Sequence, residues 1–339
     1  TSSNNDLVVR QTKTHPIYQP GKSQLFEASF SNFQLETNII KRIGAFTSTT
    51  GTPYNSVFDG FFMESNGVTN EVAFFIYLSG SCSYSATTSS WDTSNFDITN
   101  IDWSKTNLMT VDYQWLGVGR MRFGLVLSGQ TIYFLDYTAA NNIPTVYMSS
   151  PNQPIRYEIR QVGVGSGYFD MICSQTSTEG ALNGLYSTVG IQHQTTTTLS
   201  TSGTKYPYIG YRLKQGYKAV TSQYNSLSIL NTSNDNYLLT IEFNPTVSTT
   251  PTWIDIPNSP FQYALFTGTT TATITSPGHI MKSLIGEAGT SALTTLIVDD
   301  NQIRVGSNVN GTLDEMWICI TPLGANATFL GTAEILYYL

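Results

Sequence analysis

The chain has 339 residues, 12% of them charged, and a formal net charge of −7. At this length a large core forms without disulfides or metals, and a net negative charge excludes general binding to nucleic acid, which needs a cationic face. The charged fraction is about half the ~25% usual for a soluble domain; Thr, Ser, Asn, Gly and Tyr fill the gap, giving a neutral surface suited to side-by-side packing or to an extracellular β-rich protein.

Helix signals are nearly absent, because β-branched and aromatic residues dominate and Gly, Pro, Asn and Ser interrupt them. Residues 1–22 read as an extended N-terminal arm: the first six are polar with no signal region, and Pro16 and Pro20 precede the first clear strand at 25–30. Asn66-Gly67 predicts a type I′ hairpin between strands at 58–63 and 71–78. Residues 83–100 are polar, with Trp91 and Phe96 embedded, and read as a long surface loop. Strands follow at 110–115, 122–127 and 131–137, the last two split by Ser128-Gly129. Gly117 and Gly119 mark a bulge or close backbone contact, since a dinucleotide loop needs a helix after it and a strand follows here. After a strand at 155–162, residues 192–203 read as a second long loop and 222–236 as a linker. Strands then come at 237–243, at 293–298 and 302–306 around Asp299-Asp300-Asn301, at 316–321 and at 334–339.

Short strands separated by turns every ten or so residues predict an all-β protein, a β-sandwich or jelly-roll-like fold in two domains. Charge suggests where they divide. Residues 1–218 hold 14 basic and 14 acidic side chains, whereas 219–339 hold 2 and 9. The expected domains are therefore 23–225 and an acidic 226–339.

Searching for chemistry returns little. Cys82, Cys173 and Cys319 are far apart and form no C-x-x-C pair, so they read as buried free thiols in strands, made in a reducing compartment. No apolar run reaches 18 residues, so no membrane insertion is expected. His15, His193 and His279 lie in loop-like contexts without zinc spacing. Asp92, Asp97 and Asp102 are five apart, whereas calcium loops place ligands at alternate positions. There is no zincin helix and no nucleophile elbow. No metal, cofactor or catalytic residue is assigned and no enzymatic activity is expected, with a polysaccharide-degrading carboxylate pair as an alternative. Tyr84, Trp91 and Phe96 are candidates for stacking on sugar rings or for plugging the end of a sandwich. Arg120 and Arg122 share a strand face, as do Arg156 and Glu158. Such spacing suits ion pairs within or between subunits, or an anionic ligand.

Four blocks resemble one family. They are Arg10-Gln11 with His15-Pro16-Ile17-Tyr18-Gln19-Pro20-Gly21-Lys22-Ser23-Gln24; Asp112-Tyr113-Gln114-Trp115-Leu116-Gly117-Val118-Gly119-Arg120-Met121-Arg122-Phe123-Gly124; Met148 to Ile159 with Pro151-Asn152; and Ile172-Cys173-Ser174 with Ser177-Thr178-Glu179-Gly180. In kind and order these resemble virion structural proteins of large double-stranded DNA viruses and marine tailed phages, while residues 40–63 depart from that pattern. The resemblance implies a capsid, capsid-associated or spike component, made in the host cytoplasm and carried in the virion. Its partners would be other virion proteins and copies of itself, for which a homotrimer is expected. The assembly and packing residues would be Tyr18, Pro20, Lys22, Trp115, Arg120, Arg122, Arg156 and Glu158. The two prolines of residues 10–22, and their position ahead of the first clear strand, suggest a segment that docks the protein to the particle and is removable without loss of fold. The alternative is a carbohydrate-binding host-attachment protein that recognises host surface glycans.

Overall fold

The computed structural model describes residues 5–48, 57–180, 186–217, 220–269, 271–288, 292–297 and 304–338. The chain divides into two compact units, Thr1–Gly184 and Leu185–Leu339. Each is built from β-sheets, and the described residues hold no α-helix, only three short 3-10 turns. The all-β, β-sandwich class expected from the sequence is what the structure shows.

Unit 1 contains β1 (Leu7–Gln11), β2 (Gln24–Ser31), β3 (Ile39–Ser48), β4 (Phe58–Asn66), β5 (Glu71–Leu78), β6 (Ser81–Thr87), β7 (Asn107–Tyr113), β8 (Arg120–Leu127), β9 (Gln130–Thr138), β10 (Ile155–Gln161) and β11 (Asp170–Thr178). A six-stranded sheet runs β1-β10-β3-β4-β5-β6 and a five-stranded sheet runs β11-β2-β7-β8-β9. Strict alternation makes β2 one-sided: Phe26, Ala28 and Phe30 are buried while Leu25, Glu27 and Ser29 face outward. Successive side chains of a strand point to opposite faces, so this pattern pins the register. Phe26, Phe30, Val111 and Phe123 of one sheet meet Ile43, Phe61, Phe74 and Tyr157 of the other in a single core. Burying each such side chain contributes roughly 1.5–3 kcal/mol.

β3 and β4 are buried on both faces. Their second face carries Phe46, Phe58 and Phe62, with Phe75 and Tyr77 of β5 against them.

The turns follow their residues unevenly. Ser128 (φ 51°) and Gly129 (φ 80°) are both left-handed, as a two-residue type I′ turn requires. Asn66-Gly67 does not make the expected turn. Residues 67–70 form a longer loop in which the Asn66 side chain accepts from the Val68 and Thr69 amides, and Asn70 is the left-handed residue. Gly67 serves close approach instead: a Cβ there would lie 1.6 Å from the Glu36 carbonyl oxygen.

Within the arm expected at 1–22, the described residues 5–22 are not free. β1 pairs with β10 over five residues. His15 and Gln19 are buried, and both His15 and the Tyr18 amide bond to Asn152. Three of the four resemblance blocks meet here, and the fourth bonds to the end of the first. Tyr18 packs edge-on against Trp115 at 5.5 Å, the Leu116 amide donates to the Tyr18 hydroxyl, the Trp115 indole donates to the Met148 carbonyl, and the Glu179 amide donates to the Ser23 carbonyl.

Unit 2 contains β12 (Ser187–Leu199), β13 (Tyr206–Leu213), β14 (Thr221–Asn231), β15 (Tyr237–Phe243), β16 (Thr246–Val247), β17 (Ile254–Asp255), β18 (Phe261–Leu265), β19 (Gly268–Thr269), β20 (Ile274–Ser276), β21 (His279–Gly286), β22 (Ala292–Ile297), β23 (Glu315–Pro322) and β24 (Ala327–Tyr338). Its sheets run β19-β12-β24-β14-β22 and β17-β18-β13-β23-β15-β21, with β16-β20 as a small ribbon. Tyr208, Tyr211, Leu227, Ile229, Ile318 and Phe329 centre the core. A second cluster sets Val247, Trp253, Phe266 and Ile274 against Trp317 and Cys319.

Several expectations change in unit 2. The division at 184/185 precedes the 220–240 region to which the charge shift pointed, and it spreads charge evenly: 10 basic and 14 acidic residues in unit 1, 6 and 9 in unit 2. Residues 192–203 are not a loop but mostly β12, and 222–236 is not a linker but mostly β14, which pairs along β24. His193 is buried in β12, stacked on Tyr208 at 4.4 Å, with Nε2 on the Phe266 carbonyl; burial lowers its pKa. Cys319 is buried, whereas Cys82 and Cys173 are exposed. The turn proposed at Asp299-Asp300-Asn301 lies outside the described residues.

Candidate functional site

The glycan-stacking trio does not form a surface. Trp91 is 4% exposed, packed on Phe123 and Phe134 at 5.1 and 5.3 Å, with its indole N–H donated to the Ala86 carbonyl. A buried aromatic with its polar atom satisfied is core, so Trp91 presents no ring to a ligand. Tyr84 packs on Tyr137 and Phe96 on Phe134, both against the same core. Residues 83–100 are accordingly not one long loop: they begin in β6 and continue through two 3-10 turns. The three aspartates each close a local turn, accepting from the amides of Ser94, Thr99 and Ser104. Hydroxyl bonds from Thr99 and Ser104, together with these amide bonds, lower the carboxyl pKa of Asp97 and Asp102, and the Ser94 amide bond lowers that of Asp92. Among the described residues, no group of three His, Cys, Asp or Glu side chains could hold a metal.

The arginines divide into two settings. Arg156 and Glu158 share a face of β10 and pair at 2.6 Å. Glu158 also takes Arg42 of β3 at 2.5 Å, and Arg42 takes Glu64 of β4 at 2.6 Å. The register Glu158↔Arg42↔Glu64 places these groups directly opposite one another. The Arg42 guanidinium lies 4.8 Å from the Phe58 ring centre and that of Arg156 lies 5.2 Å from Phe46. The two flanking carboxylates outweigh burial and raise the Arg42 pKa. This ladder is closed and structural: every side chain in it is at most 10% exposed.

Arg122 stands on the open outer face of the five-stranded sheet. It donates Nε (3.0 Å) and Nη2 to one oxygen of Asp112, its directly opposed neighbour. This bond is the main cause of its raised pKa. Its guanidinium also covers Tyr133 at 4.3 Å. Two cross-strand rows define the face: Ser177, Leu25, Asp112, Arg122 and Asp136 in one, and Gln175, Glu27, Thr110, Gly124 and Tyr133 in the next. A Cβ on Gly124 would meet the Ile132 carbonyl oxygen at 2.3 Å. Glycine here admits the bulge of β9, and Tyr133 stands opposite it. Burial raises the Tyr133 pKa, so its hydroxyl is protonated at neutral pH.

These rows enclose a groove of about 320 Å³, with Leu25 against Asp112 and Tyr133 on one side and Ser177, Thr178 and Glu179 on the other. Such a volume fits a small ligand. Asp112 receives Arg122 on Oδ2 alone, and Glu27 receives Gln175 on Oε2 at 2.6 Å. Each carboxylate is therefore held by a planar donor through one oxygen and keeps the other available.

Of the residues expected to matter for assembly, Arg122 borders this groove through its bond to Asp112. Lys22 lies near it, 3.8 Å from where a Gly180 Cβ would stand. Arg120 reaches only Asp136, at 3.9 Å and half-exposed. Tyr18 and Trp115 pack internally. Pro20 sits exposed in a turn closed by the Lys22 amide on the Gln19 carbonyl. Sequence reading missed Leu25, Glu27, Tyr133 and Gln175. Their outward parity on alternating strands was the available signal, but which strands lie side by side was not.

No family model matches the chain, and no curated relative does. Among solved structures it is similar to the Emp47p carbohydrate recognition domain (12% identity, TM-score 0.34, covering 52% of this chain and 80% of that one). It is also similar to a legume lectin-like domain from Entamoeba histolytica (7%, 0.32, 53% and 82%). A third is chicken galectin 2 (8%, 0.27, 49% and 96%). Likeness at this level transfers no residue role.

Proposed function

We propose that the protein binds carbohydrate through the outer groove of the five-stranded sheet of unit 1. The observation that carries this reading is the half-tied carboxylate of Asp112 in a groove with Leu25, Tyr133 and Glu179, with a second half-tied carboxylate, Glu27, in the adjacent cross-strand row. Sugar hydroxyls donate and accept at once, and hydrogen bonds to a fixed carboxylate are about twice as strong as neutral ones. Leucine and tyrosine suit the apolar C–H face of a ring. Because Arg122 and Gln175 already fix the acceptors, little side-chain entropy is lost on binding. The carboxylates disfavour anionic sugars, so the ligand class is a neutral glycan.

A glycan array probed with wild type, Asp112→Asn and Tyr133→Ala tests this. Neutral glycans should bind wild type, and each substitution should weaken binding about tenfold or more. Equal binding by all three proteins would refute the site. The reading is of binding without turnover, so bound oligosaccharide should be recovered uncleaved.

The four sequence blocks support a narrower reading, that this is a host-attachment component of a virion. The first three converge around Tyr18, Trp115 and Asn152, and the fourth reaches the first through the Glu179 amide on the Ser23 carbonyl. On this reading the protein forms a homotrimer, and its native mass should be three times that of one chain.

A further inference from the structure

We propose that unit 2 carries a second, independent saccharide site, for an uncharged sugar chain, on the outer face of its five-stranded sheet. The inference rests on the carbohydrate-binding reading but on none of the unit 1 residues. The cavity here is about 450 Å³, larger than the unit 1 groove, and no charged residue lines it. Leu230 and Leu330 are directly opposed across β14 and β24, giving it an apolar patch. In the next row Gln192, Thr332 and Ser228 stand side by side.

Two features build this face for a ligand. Between His193 and Thr197, β12 bulges, so three residues stand opposite Leu330 alone. That carries Gln194 to the cavity, where its Nε2 donates to Gln192 Oε1 at 2.5 Å. The bond orients both amides and leaves the Gln192 N–H donors and the Gln194 carbonyl to a ligand. One row further, Glu334 accepts Asn225 and Ser226 on Oε2, at 2.7 and 3.2 Å, which leaves Oε1. Its other neighbour in that row is Gly190, where a Cβ would meet nothing within 4 Å.

The row order is thus open space beside a held carboxylate, then paired amides and hydroxyls, then leucines. Amide pairs match vicinal hydroxyls, which donate and accept together, and the leucines suit a ring's C–H face. Among the described residues of these rows, the fixed charge is the Glu334 carboxylate, which disfavours anions. Two leucines are too little apolar surface for a lipid chain.

The test uses full-length Tyr133→Ala protein, in which the unit 1 groove is disabled, titrated with neutral gluco-, manno- and galacto-oligosaccharides. Residual binding should persist and fall at least tenfold on adding Gln192→Ala. It should fall similarly on adding Gly190→Tyr, which fills open surface and disturbs no packing. Saccharide binding that disappears with Tyr133→Ala alone overturns this second site while leaving the first. Residual binding indifferent to both added substitutions also overturns it. A wild-type protein that binds no saccharide overturns both readings.

Discussion

The buried ladder Arg156–Glu158–Arg42–Glu64 makes a quantitative prediction about Glu158. Its two oxygens take Arg42 Nη1 at 2.5 Å and Arg156 Nε and Nη2 at 3.1 and 2.6 Å. Glu158→Gln keeps the shape but removes the charge, and it turns an amide N–H₂ toward one guanidinium. Arg42 then keeps Glu64, while Arg156 loses the carboxylate that takes its Nε and Nη2. Removing one partner of a buried ion pair costs about 3–5 kcal/mol, because the remaining charge is stranded. For a unit of this size each kcal/mol moves the unfolding midpoint by about 2–4 °C, so the unit 1 transition should fall by roughly 6–20 °C in scanning calorimetry of the full chain. Replacing Arg42, Glu64, Glu158 and Arg156 together with Leu, Leu, Leu and Met should recover most of the loss, since apolar replacement of a whole buried ion cluster is often neutral. A Glu158→Gln midpoint within 2 °C of wild type would refute the claim that these charges are buried and interdependent.

Two further outcomes separate packing from binding. Trp91→Ala should cost about 3–5 kcal/mol as a large-to-small core change. It should leave saccharide affinity intact at a temperature where the protein remains folded; selective loss of binding would return Trp91 to the ligand surface. Deleting residues 5–22 removes β1 and the Tyr18–Asn152 contacts. The near-ultraviolet circular dichroism of unit 1 should then collapse, whereas a native spectrum would restore the picture of a detachable docking arm.

Strands with one buried face were legible. β2 alternates residue by residue, and β15 has the bounds read from Tyr237 to Phe243. β12 and β14 were not legible. Thr, Ser and Gln on an outward face look like loop composition, although threonine is a good strand former. The charge shift misplaced the division because charge marks surfaces, and an acidic stretch inside unit 2 carries no boundary. In the site, Arg122 and Asp112 fell in one quoted block, so half of the groove was within reach. Leu25, Tyr133 and Ser177 join them only through non-local pairing, which one sequence does not specify.

The most direct test of the account is hydrogen–deuterium exchange on the full chain, with and without a saturating neutral oligosaccharide selected on the array. The account predicts protection on peptides covering β2, β7, β9 and the end of β11, where Leu25, Asp112, Tyr133 and Ser177 line the groove. Protection confined to segments outside that face, with those peptides unchanged, would contradict it.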